Sequence, residues 1–234
     1  MSPRKVVVVS TRSLSPAVTL IRFASGDGKS WAFEPGQWIN IRLPDDPPAA
    51  RRAYSLAGET QDGGFELAVT EVPGGVLSPR LVALLPGDQA VADGPHGFFT
   101  RRGHEGEPSL FVAAGSGVAP VRPMLQAALA EAAPAVPLTL LFGCRSQQDM
   151  LFGDEFSLWA QQYPRFRYET TLSRADDRWT GRTGYVQAHV DALIAESPPT
   201  HVYICGLSAM VAAVRATLKA RGLDRKQIHS ERFD

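Results

Sequence analysis

The sequence predicts two domains: an N-terminal antiparallel β-barrel over residues 1–103, and an α/β domain with a parallel sheet over residues 104–234. In the first part, short β-branched and aromatic segments are separated by Gly, Pro and Asp. In the second, continuous apolar segments alternate with segments of helical periodicity. The 234 residues, 44% hydrophobic and 21% charged, have the composition of a soluble globular protein, which argues against disorder and coiled coil.

Six predicted strands make up the first half. Several alternate apolar and polar residues, as residues 65–67 do, which is typical of a half-buried strand. Their even spacing favours a small antiparallel barrel. A short helix is expected after Ser78, and the Pro-Gly pair at residues 86–87 ends it. The predicted strands are residues 5–11, 18–23, 37–43, 53–57, 65–70 and 89–92.

The second half begins with a polar linker, residues 103–108. Its strands are continuous apolar runs, which implies burial on both faces and hence a parallel sheet wrapped by helices. Because ligands of such sheets bind beyond the carboxyl ends of the strands, we expect binding and catalytic residues directly after each strand. The predicted strands are residues 110–114, 138–142, 166–172, 202–204 and 227–231, and the predicted helices are residues 120–133, 152–162, 185–195 and 207–221.

Charge, hydropathy and cysteine count exclude several classes of function. Lys+Arg and Asp+Glu both number 24, so no global charge attracts nucleic acid. No apolar run approaches the ~18 residues of a membrane span, and the four valines at residues 6–9 are too few for a signal peptide. We therefore predict a cytoplasmic protein. Two cysteines exclude a four-cysteine zinc or iron–sulfur site within the chain, and the spacing of its histidines predicts no metal site.

The first candidate binding motif is GSGVAP, residues 115–120, which connects a predicted strand to a predicted helix. Gly115 and Gly117 let the backbone approach a diphosphate, and the helix N-terminus offers free N–H groups. Pro120 suits the first helical turn, but it replaces the third glycine of the dinucleotide-binding fingerprint. A plain strand-to-helix turn is the alternative.

Arginines follow the next two strands of the second half. Arg145 stands where a dinucleotide site would place an acidic residue for the ribose hydroxyls, and an arginine there suits an anion better. Ser173, Arg174 and Arg182 add a hydroxyl and two guanidiniums after the third strand. Together they are suited to a ribose 2′-phosphate, unless they are ordinary solvated loop charges.

A third motif, Arg52-Ala53-Tyr54-Ser55, lies in the first half. Strand geometry places Arg52 and Tyr54 on one face, with Ser55 turned away unless the strand bends. A tyrosine ring can cover a flat heteroaromatic group, a serine can bond a ring nitrogen, and an arginine can neutralise a phosphate. Gly75 and Ser78, before the predicted helix, form a second possible phosphate cradle. A half-buried strand and a hairpin turn are the alternatives.

The order of these motifs along the whole chain resembles that of the ferredoxin–NADP reductase superfamily. Arg-x-Tyr-Ser in a β half and Gly-x-x-Ser before a short helix are followed by Gly-x-Gly-x-x-Pro in an α/β half. Four further segments also match the family: residues 36–37, 94–97, 154–156 and 205–206.

The resemblance implies that the β-barrel binds FAD. Tyr54 would stack on the isoalloxazine ring, Ser55 would bond near its reactive nitrogen, and Arg52 would meet the pyrophosphate. Gly75 and Ser78 would hold that pyrophosphate from the other side. FAD is favoured over FMN because Arg52 and this loop suit a diphosphate.

The same resemblance implies that the α/β domain binds a nicotinamide coenzyme. Cys205 would lie near the nicotinamide ring, Glu231 would help to position the hydride donor, and Phe233 would cover the flavin until the nicotinamide displaces it. NADPH is favoured over NADH, with NADH possible. The remaining contacts implied or predicted for this coenzyme come from Gly115, Gly117, Pro120, Arg145, Ser173, Arg174, Arg182 and Gly206.

The resulting prediction is a monomeric flavoprotein oxidoreductase that takes hydride from NAD(P)H and passes electrons to a separate ferredoxin or flavodoxin. Ser55, Cys205 and Glu231 are its predicted catalytic residues. The alternatives are a reductase component of an oxygenase system, a free-flavin reductase, and a non-catalytic flavin or nucleotide sensor. Acidic carriers need a basic docking face, for which the candidates, if not ordinary solvated charges, are Arg51, Arg101, Arg102 and Arg122.

Overall fold

The computed structural model describes residues 2–131 and 136–233. Its first part contains β1 (Arg4–Ser15), β2 (Val18–Ser25), β3 (Trp38–Arg42), β4 (Arg52–Glu59), β5 (Phe65–Thr70), α1 (Ser78–Val82) and β6 (Gln89–His96). Its second part contains β7 (Ser109–Ala114), α2 (Val118–Ala130), β8 (Leu138–Cys144), α3 (Gly153–Gln162), β9 (Phe166–Leu172), β10 (Arg182–Thr183), α4 (Val190–Glu196), β11 (His201–Gly206), α5 (Ser208–Ala220) and β12 (Ile228–Arg232).

The first part is a closed six-stranded barrel in the order β1-β2-β5-β4-β3-β6. Every neighbouring pair is antiparallel, and β6 returns to pair with β1. Alternate side chains of these strands point inward and form one apolar cluster, in which Phe23, Ile39, Phe65 and Leu67 are fully buried. The predicted antiparallel barrel is confirmed.

The second part is a six-stranded sheet in the order β10-β9-β8-β7-β11-β12. All of its strands are parallel, which confirms the predicted α/β architecture. From β7 the chain first builds outward through β8 and β9, then returns to the other side of β7 with β11. The carboxyl ends of β7 and β11 therefore meet where the strand order reverses, which is where open α/β sheets bind ligands.

Helices cover both faces of this sheet. One apolar cluster joins the sheet to α4 and α5, and a second joins it to α2 and α3. The second cluster continues into the barrel through Ala57 and Ala68. The two domains thus share a packed apolar boundary.

Arg122 of α2 also links the two domains through charge. Its Nη1 donates to the Ala57 carbonyl oxygen at 2.8 Å and to Glu66 Oε2 at 2.7 Å, both in the barrel. Its Nε and Nη2 donate to the two oxygens of Glu155 in α3 at 2.8 and 3.0 Å. All three side chains are at least half-buried. One guanidinium therefore joins two barrel strands to two helices of the α/β domain.

Several element boundaries differ from the predictions. The predicted helix 152–162 begins at Gly153, because Phe152 has φ 57 and cannot continue a right-handed helix. The predicted helix 185–195 is divided at His189 into a 3-10 turn and α4. The predicted helix 120–133 begins earlier, at Val118, and ends at Ala130, while residues 132 and 133 lie outside the described part of the chain.

The linker lies between β6, which ends at His96, and β7, which begins at Ser109. The domain boundary at residue 103 stays a prediction. Within the described residues, no helix has both the length and the apolar character needed to cross a membrane.

Candidate active site

A cleft of about 710 Å³ opens between the barrel and the carboxyl end of the parallel sheet. Small-molecule and cofactor sites typically enclose ~300–1,000 Å³. On the barrel side it is lined by Trp38, Arg52, Ala53, Tyr54, Ser55, Ala68, Thr70, Val72, Gly75, Val76, Leu77 and Ser78. On the α/β side it is lined by Ser116, Ala119, Glu231, Arg232 and Phe233. The cleft therefore brings together the barrel residues expected to bind FAD and the residues Glu231 and Phe233 of the α/β domain.

The two domains meet in this cleft through Ser55 and Glu231. Ser55 Oγ donates to Glu231 Oε1 at 3.0 Å, although the residues are 176 positions apart. β12 brings Glu231 there by pairing in parallel with β11, opposite Cys205. Burial raises the pKa of Glu231, and the hydrogen bond from Ser55 opposes part of that rise. The site thus contains a carboxyl group that holds its proton more tightly than usual.

Cys205 of β11 is the strand partner of Glu231 in β12, and it is fully buried. Burial raises the pKa of its thiol well above the ordinary value, and the charge of Glu231 adds to that rise. Cys205 is not among the described residues that line the cleft. Phe233 packs against the apolar cluster to which Cys205 belongs, and its backbone N–H donates to the Gly206 carbonyl oxygen at 3.0 Å. The structure therefore places Cys205, Gly206 and Phe233 together, with the thiol below the surface.

The motif at residues 115–120 connects β7 to α2, as predicted, and the structure places it at the strand-order reversal. A tight 3-10 turn, Gly115–Gly117, connects β7 to α2, and Gly115 has φ 53, in the left-handed region that favours glycine. A Cβ at Gly117 would lie 2.3 Å from the Cys205 carbonyl oxygen. Pro120 lies in the first turn of α2 and is buried. Gly117 is therefore what allows the start of α2 to approach the end of β11.

Arg52, Tyr54 and Ser55 all line the cleft, and alternation along the strand puts Ser55 on the other face from Arg52 and Tyr54. Residues 52–55 pair with β3, whereas β4 pairs with β5 only from Leu56 onward. The free edge of β4 therefore borders the cleft, and side chains from both of its faces reach it. Tyr54 is half-buried there, and burial raises the pKa of its hydroxyl.

The loop before α1 forms the opposite wall of the cleft. Ser78 Oγ accepts a hydrogen bond from the Val72 backbone N–H at 3.1 Å, which closes the loop. A Cβ at Gly75 would lie 2.9 Å from the Val72 carbonyl oxygen. Arg52 bonds the carbonyl oxygens of Ala50 and Arg51 at 3.3 and 2.9 Å, both through Nη1, and its side chain is exposed.

The predicted phosphate-binding residues meet at the ends of β8 and β9. The backbone N–H of Arg174 donates to the Arg145 carbonyl oxygen at 2.7 Å, and that of Ser173 donates to the Cys144 carbonyl oxygen at 3.0 Å. The guanidiniums of Arg145 and Arg174 are exposed and have no hydrogen-bond partner within the described residues. Arg182 differs, because its Nε donates to Glu169 Oε2 at 2.9 Å.

Comparison with known proteins agrees with this geometry. Residues 5–100 match the family model of the oxidoreductase FAD-binding domain, and residues 111–216 match that of the oxidoreductase NAD-binding domain. The chain is 46% identical to ferredoxin–NADP reductase B of Sorangium cellulosum, over 99% of this chain and 98% of that protein. The chain belongs to the ferredoxin–NADP reductase family.

Two further relatives of this reductase serve oxygenases. The toluate 1,2-dioxygenase electron transfer component of Pseudomonas putida is 29% identical, and the match covers 98% of this chain and 67% of that protein. The solved structure of a ferredoxin reductase in carbazole 1,9a-dioxygenase has a TM-score of 0.87 at 26% identity, covering 100% of this chain and 70% of the other. The predictions of an FAD-binding barrel, an NAD-binding α/β domain and oxidoreductase activity with NAD(P)H and FAD are thereby confirmed.

The residues of the cleft fit FAD. They supply a half-buried aromatic ring from Tyr54, a hydroxyl from Ser55 and a guanidinium from Arg52. In Arg52 both hydrogen bonds to the chain use Nη1, so the other two nitrogens remain for a phosphate. The wall at Gly75 is bare backbone, which lets a ligand approach closely.

The basic docking face named from the sequence is contradicted at two of its four positions. Arg101 is 6% exposed and its Nη1 bonds Glu131 at 2.7 Å. Arg122 is occupied by Glu66 and Glu155. Both guanidiniums are engaged by carboxylates within the fold, because a buried charge needs a partner. They are therefore not available to a docking carrier. Arg51 and Arg102 are exposed, each beside a single carboxylate.

Sequence reasoning missed two charged or polar clusters. The ionic network of Arg122 joins residues that are 56 and 65 positions apart in sequence. His104, His201 and His229, which have no metal-ligand spacing in the sequence, lie together in the structure. Only the tertiary fold brings the members of either cluster together.

Proposed function

We propose that this reductase takes hydride from NADPH onto FAD and passes the electrons to a separate soluble carrier, a ferredoxin or a flavodoxin. Its FAD-binding domain is residues 1–103 and its NAD-binding domain is residues 104–234. The observation that carries the proposal is the Ser55–Glu231 hydrogen bond, which joins the two domains within one cleft. The relative at 46% identity, named as a ferredoxin–NADP reductase, supports this choice of acceptor. The protein acts as a cytoplasmic monomer.

The barrel residues hold and orient the flavin. Bound FAD supplies hydride acceptance and the release of single electrons. Tyr54 covers the flat ring system, and Arg52 neutralises the pyrophosphate. Gly75 and Ser78 hold the pyrophosphate from the opposite wall. Ser55 donates its hydroxyl hydrogen bond to Glu231 Oε1, so its oxygen lone pairs would be available to a ring N–H.

The α/β residues position the nicotinamide coenzyme. Gly115, Gly117 and Pro120 shape its pocket at the switch point, together with Gly206 at the end of β11. Glu231, held by Ser55, would help to position the hydride donor, and Cys205 would lie near the nicotinamide ring. Phe233 lines the cleft and would cover the flavin until the nicotinamide ring displaces it.

Coenzyme preference depends on the loops after β8 and β9. Among the described residues, the guanidiniums of Arg145 and Arg174 have no hydrogen-bond partner, and Ser173 is partly exposed, with its Oγ 3.5 Å from the Cys144 carbonyl oxygen. These three groups bind the 2′-phosphate of NADPH. Arg182 contributes less because Glu169 already engages it.

Two of the relatives favour a second candidate function, the reductase component of an oxygenase system. The toluate dioxygenase component and the carbazole dioxygenase reductase both match over nearly all of this chain. In that case the electrons leave to an iron–sulfur protein of the oxygenase, because two cysteines cannot ligate such a cluster here.

Anaerobic reduction by NADPH or NADH, followed by a panel of acceptors, tests the proposal. We expect the yellow flavin to bleach faster with NADPH than with NADH, and to be reoxidised fastest by a ferredoxin or a flavodoxin. Fastest reoxidation by an oxygenase iron–sulfur protein would favour the second function. Folded protein that stays colourless and binds no added FAD would contradict both.

A further inference from the structure

Three imidazoles meet at the end of the parallel sheet opposite the cleft. His201 opens β11, His229 is the second residue of β12, and His104 lies in the linker between the two domains. One ring nitrogen from each lies within 4.8 Å of the others. His201 is buried and the other two are partly buried. The cluster therefore joins three separate segments at a site that the flavin reaction does not use.

The distances of two of these rings suit a shared metal ion. His201 Nδ1 and His229 Nε2 are 3.0 Å apart. Imidazole nitrogens bind zinc at ~2.0–2.1 Å, so two nitrogens on one tetrahedral ion lie roughly 3.4 Å apart. His104 stacks on His201, with 3.8 Å between ring centroids and 19° between planes. Because a metal lies in the plane of each imidazole that binds it, His104 has to rotate out of this stack to become the third ligand.

The surroundings orient the rings for this role. Glu107 Oε2 lies 3.1 Å from His201 Nε2, so that nitrogen donates its hydrogen bond to the carboxylate and Nδ1 keeps its lone pair towards His229. A carboxylate behind a histidine in this way is the usual outer support of a zinc ligand. Tyr203 Oη lies 2.9 Å from His104 Nδ1, so Nε2 is the ring nitrogen of His104 that remains for a metal among the described contacts.

The charges around the cluster are also compatible with a cation. Arg101 is the opposing positive charge nearby, but it is paired with Glu131 at 2.7 Å. Its Nη2 bonds the His104 and Glu107 carbonyl oxygens at 3.1 and 3.4 Å, which holds both residues in place.

We propose that His104, His201 and His229 form a binding site for one divalent transition-metal cation of the zinc class. Glu107 is its outer support, and solvent completes the coordination. The bound ion fastens the interdomain linker to β11 and to β12, the strand that carries Glu231 into the cleft. The site is therefore structural, and it acts on the active-site end of β12 only through the position of that strand.

The test uses the flavin-loaded, tag-free full-length chain, stripped of metal with a chelator and then dialysed against ZnCl₂. We expect binding to saturate at one Zn²⁺ per chain and the melting temperature to rise as Zn²⁺ binds. His104→Ala and His229→Ala lose this stoichiometric binding. Glu107→Gln weakens it about 10- to 100-fold, as expected for an outer support. His189→Ala, which removes a histidine outside the cluster, binds Zn²⁺ like the wild type.

CoCl₂ provides a spectroscopic reading of the same site. Tetrahedral Co²⁺ bound to the wild type gives visible d–d bands, and His104→Ala abolishes them. Two outcomes overturn the proposal: a wild-type chain with no saturable Zn²⁺ site, and a His104→Ala variant that binds Zn²⁺ as tightly as the wild type. If His229→Ala fails to fold, these two measurements still decide, because His104 lies in a partly exposed linker.

Discussion

Ser55 and Glu231 form a hydrogen bond of 3.0 Å that crosses from the barrel to the last strand of the parallel sheet. Both residues line the cleft in which we propose that the flavin and the nicotinamide coenzyme meet. The bond orients a hydroxyl group and a carboxyl group at once, so the loss of either partner disturbs the other.

Ser55→Ala is therefore expected to slow flavin reduction by NADPH about tenfold while FAD stays bound. A side-chain hydrogen bond contributes ~0.5–1.5 kcal/mol, and ~1.4 kcal/mol corresponds to tenfold in rate. Glu231→Gln has a smaller effect, because the amide oxygen still accepts from Ser55. Stopped-flow flavin bleaching measures both, with Ser157→Ala on α3 as the control serine. Wild-type rates in Ser55→Ala would remove it from the catalytic residues.

Cys205→Ala is expected to slow the same step by roughly two- to tenfold, the effect of losing ~0.5–1.4 kcal/mol of contact behind the nicotinamide. The matched control is Cys144→Ala, the other cysteine of the chain, which lies at the end of β8 away from Glu231. If the two variants reduce flavin equally fast, Cys205 has no role in the transfer.

Both cysteines are expected to be inert towards thiol reagents in the folded protein. Burial raises the pKa of Cys144 to about 12, and that of the fully buried Cys205 lies well above its ordinary value. The reactive thiolate is therefore scarce near neutral pH. Titration with a chromogenic disulfide should detect almost no thiol in the native protein and two per chain after denaturation. Rapid labelling of one native thiol would contradict the burial of that cysteine.

Arg174→Ala is expected to lower the ratio of kcat/KM for NADPH to that for NADH by about ten- to hundredfold. Hydrogen bonds to charged groups contribute ~1.5–3 kcal/mol, and NADH lacks the phosphate that would accept them. Arg178→Ala, in the same loop, is the control, and Arg182→Ala should change the ratio less because Glu169 holds that guanidinium. An unchanged ratio in Arg174→Ala would show that another group reads the phosphate.

Arg122→Met is expected to destabilise the protein by ~3–5 kcal/mol, because it leaves the half-buried carboxylates of Glu66 and Glu155 without their partner. The melting temperature should fall by roughly 6–20 °C. Arg102→Met provides the comparison. Its ion pair with Glu34 is exposed, so its loss should cost about 1 kcal/mol or less. Equal thermal shifts in the two variants would contradict the buried network.

The sequence predicted those parts of the fold that follow from local pattern. Alternation gave the barrel strands, continuous apolar runs gave the parallel sheet, and the glycines at 115 and 117 fall at the strand-order reversal. The short strand β10 was missed because its two residues, Arg182 and Thr183, carry no strand pattern. Phe152 was predicted to be helical because nothing in the sequence indicates that this aromatic residue adopts a left-handed φ.

The sequence predicts several residues of the site but not which residues form hydrogen bonds or ion pairs with one another. Tyr54, Ser55 and Glu231 were expected near the cofactors, but the hydrogen bond between Ser55 and Glu231 joins residues 176 positions apart and depends on the tertiary fold. Arg101 and Arg122 looked like surface charges because their carboxylate partners lie 30 or more positions away in sequence. Long-range ionic pairing of this kind leaves no periodic trace in the sequence.

The way Arg122 ties the barrel to α2 and α3 has a consequence for how the second coenzyme reaches the flavin. Separation of the two domains would break the hydrogen bonds from Arg122 to the Ala57 carbonyl oxygen and to the Glu66 carboxylate. It would leave these charges unpaired at an apolar boundary. Displacing Phe233 would break one backbone hydrogen bond within the described residues, to Gly206, and would remove its packing on the apolar cluster. We therefore propose that the nicotinamide reaches the flavin by moving Phe233 aside, while the two domains stay joined.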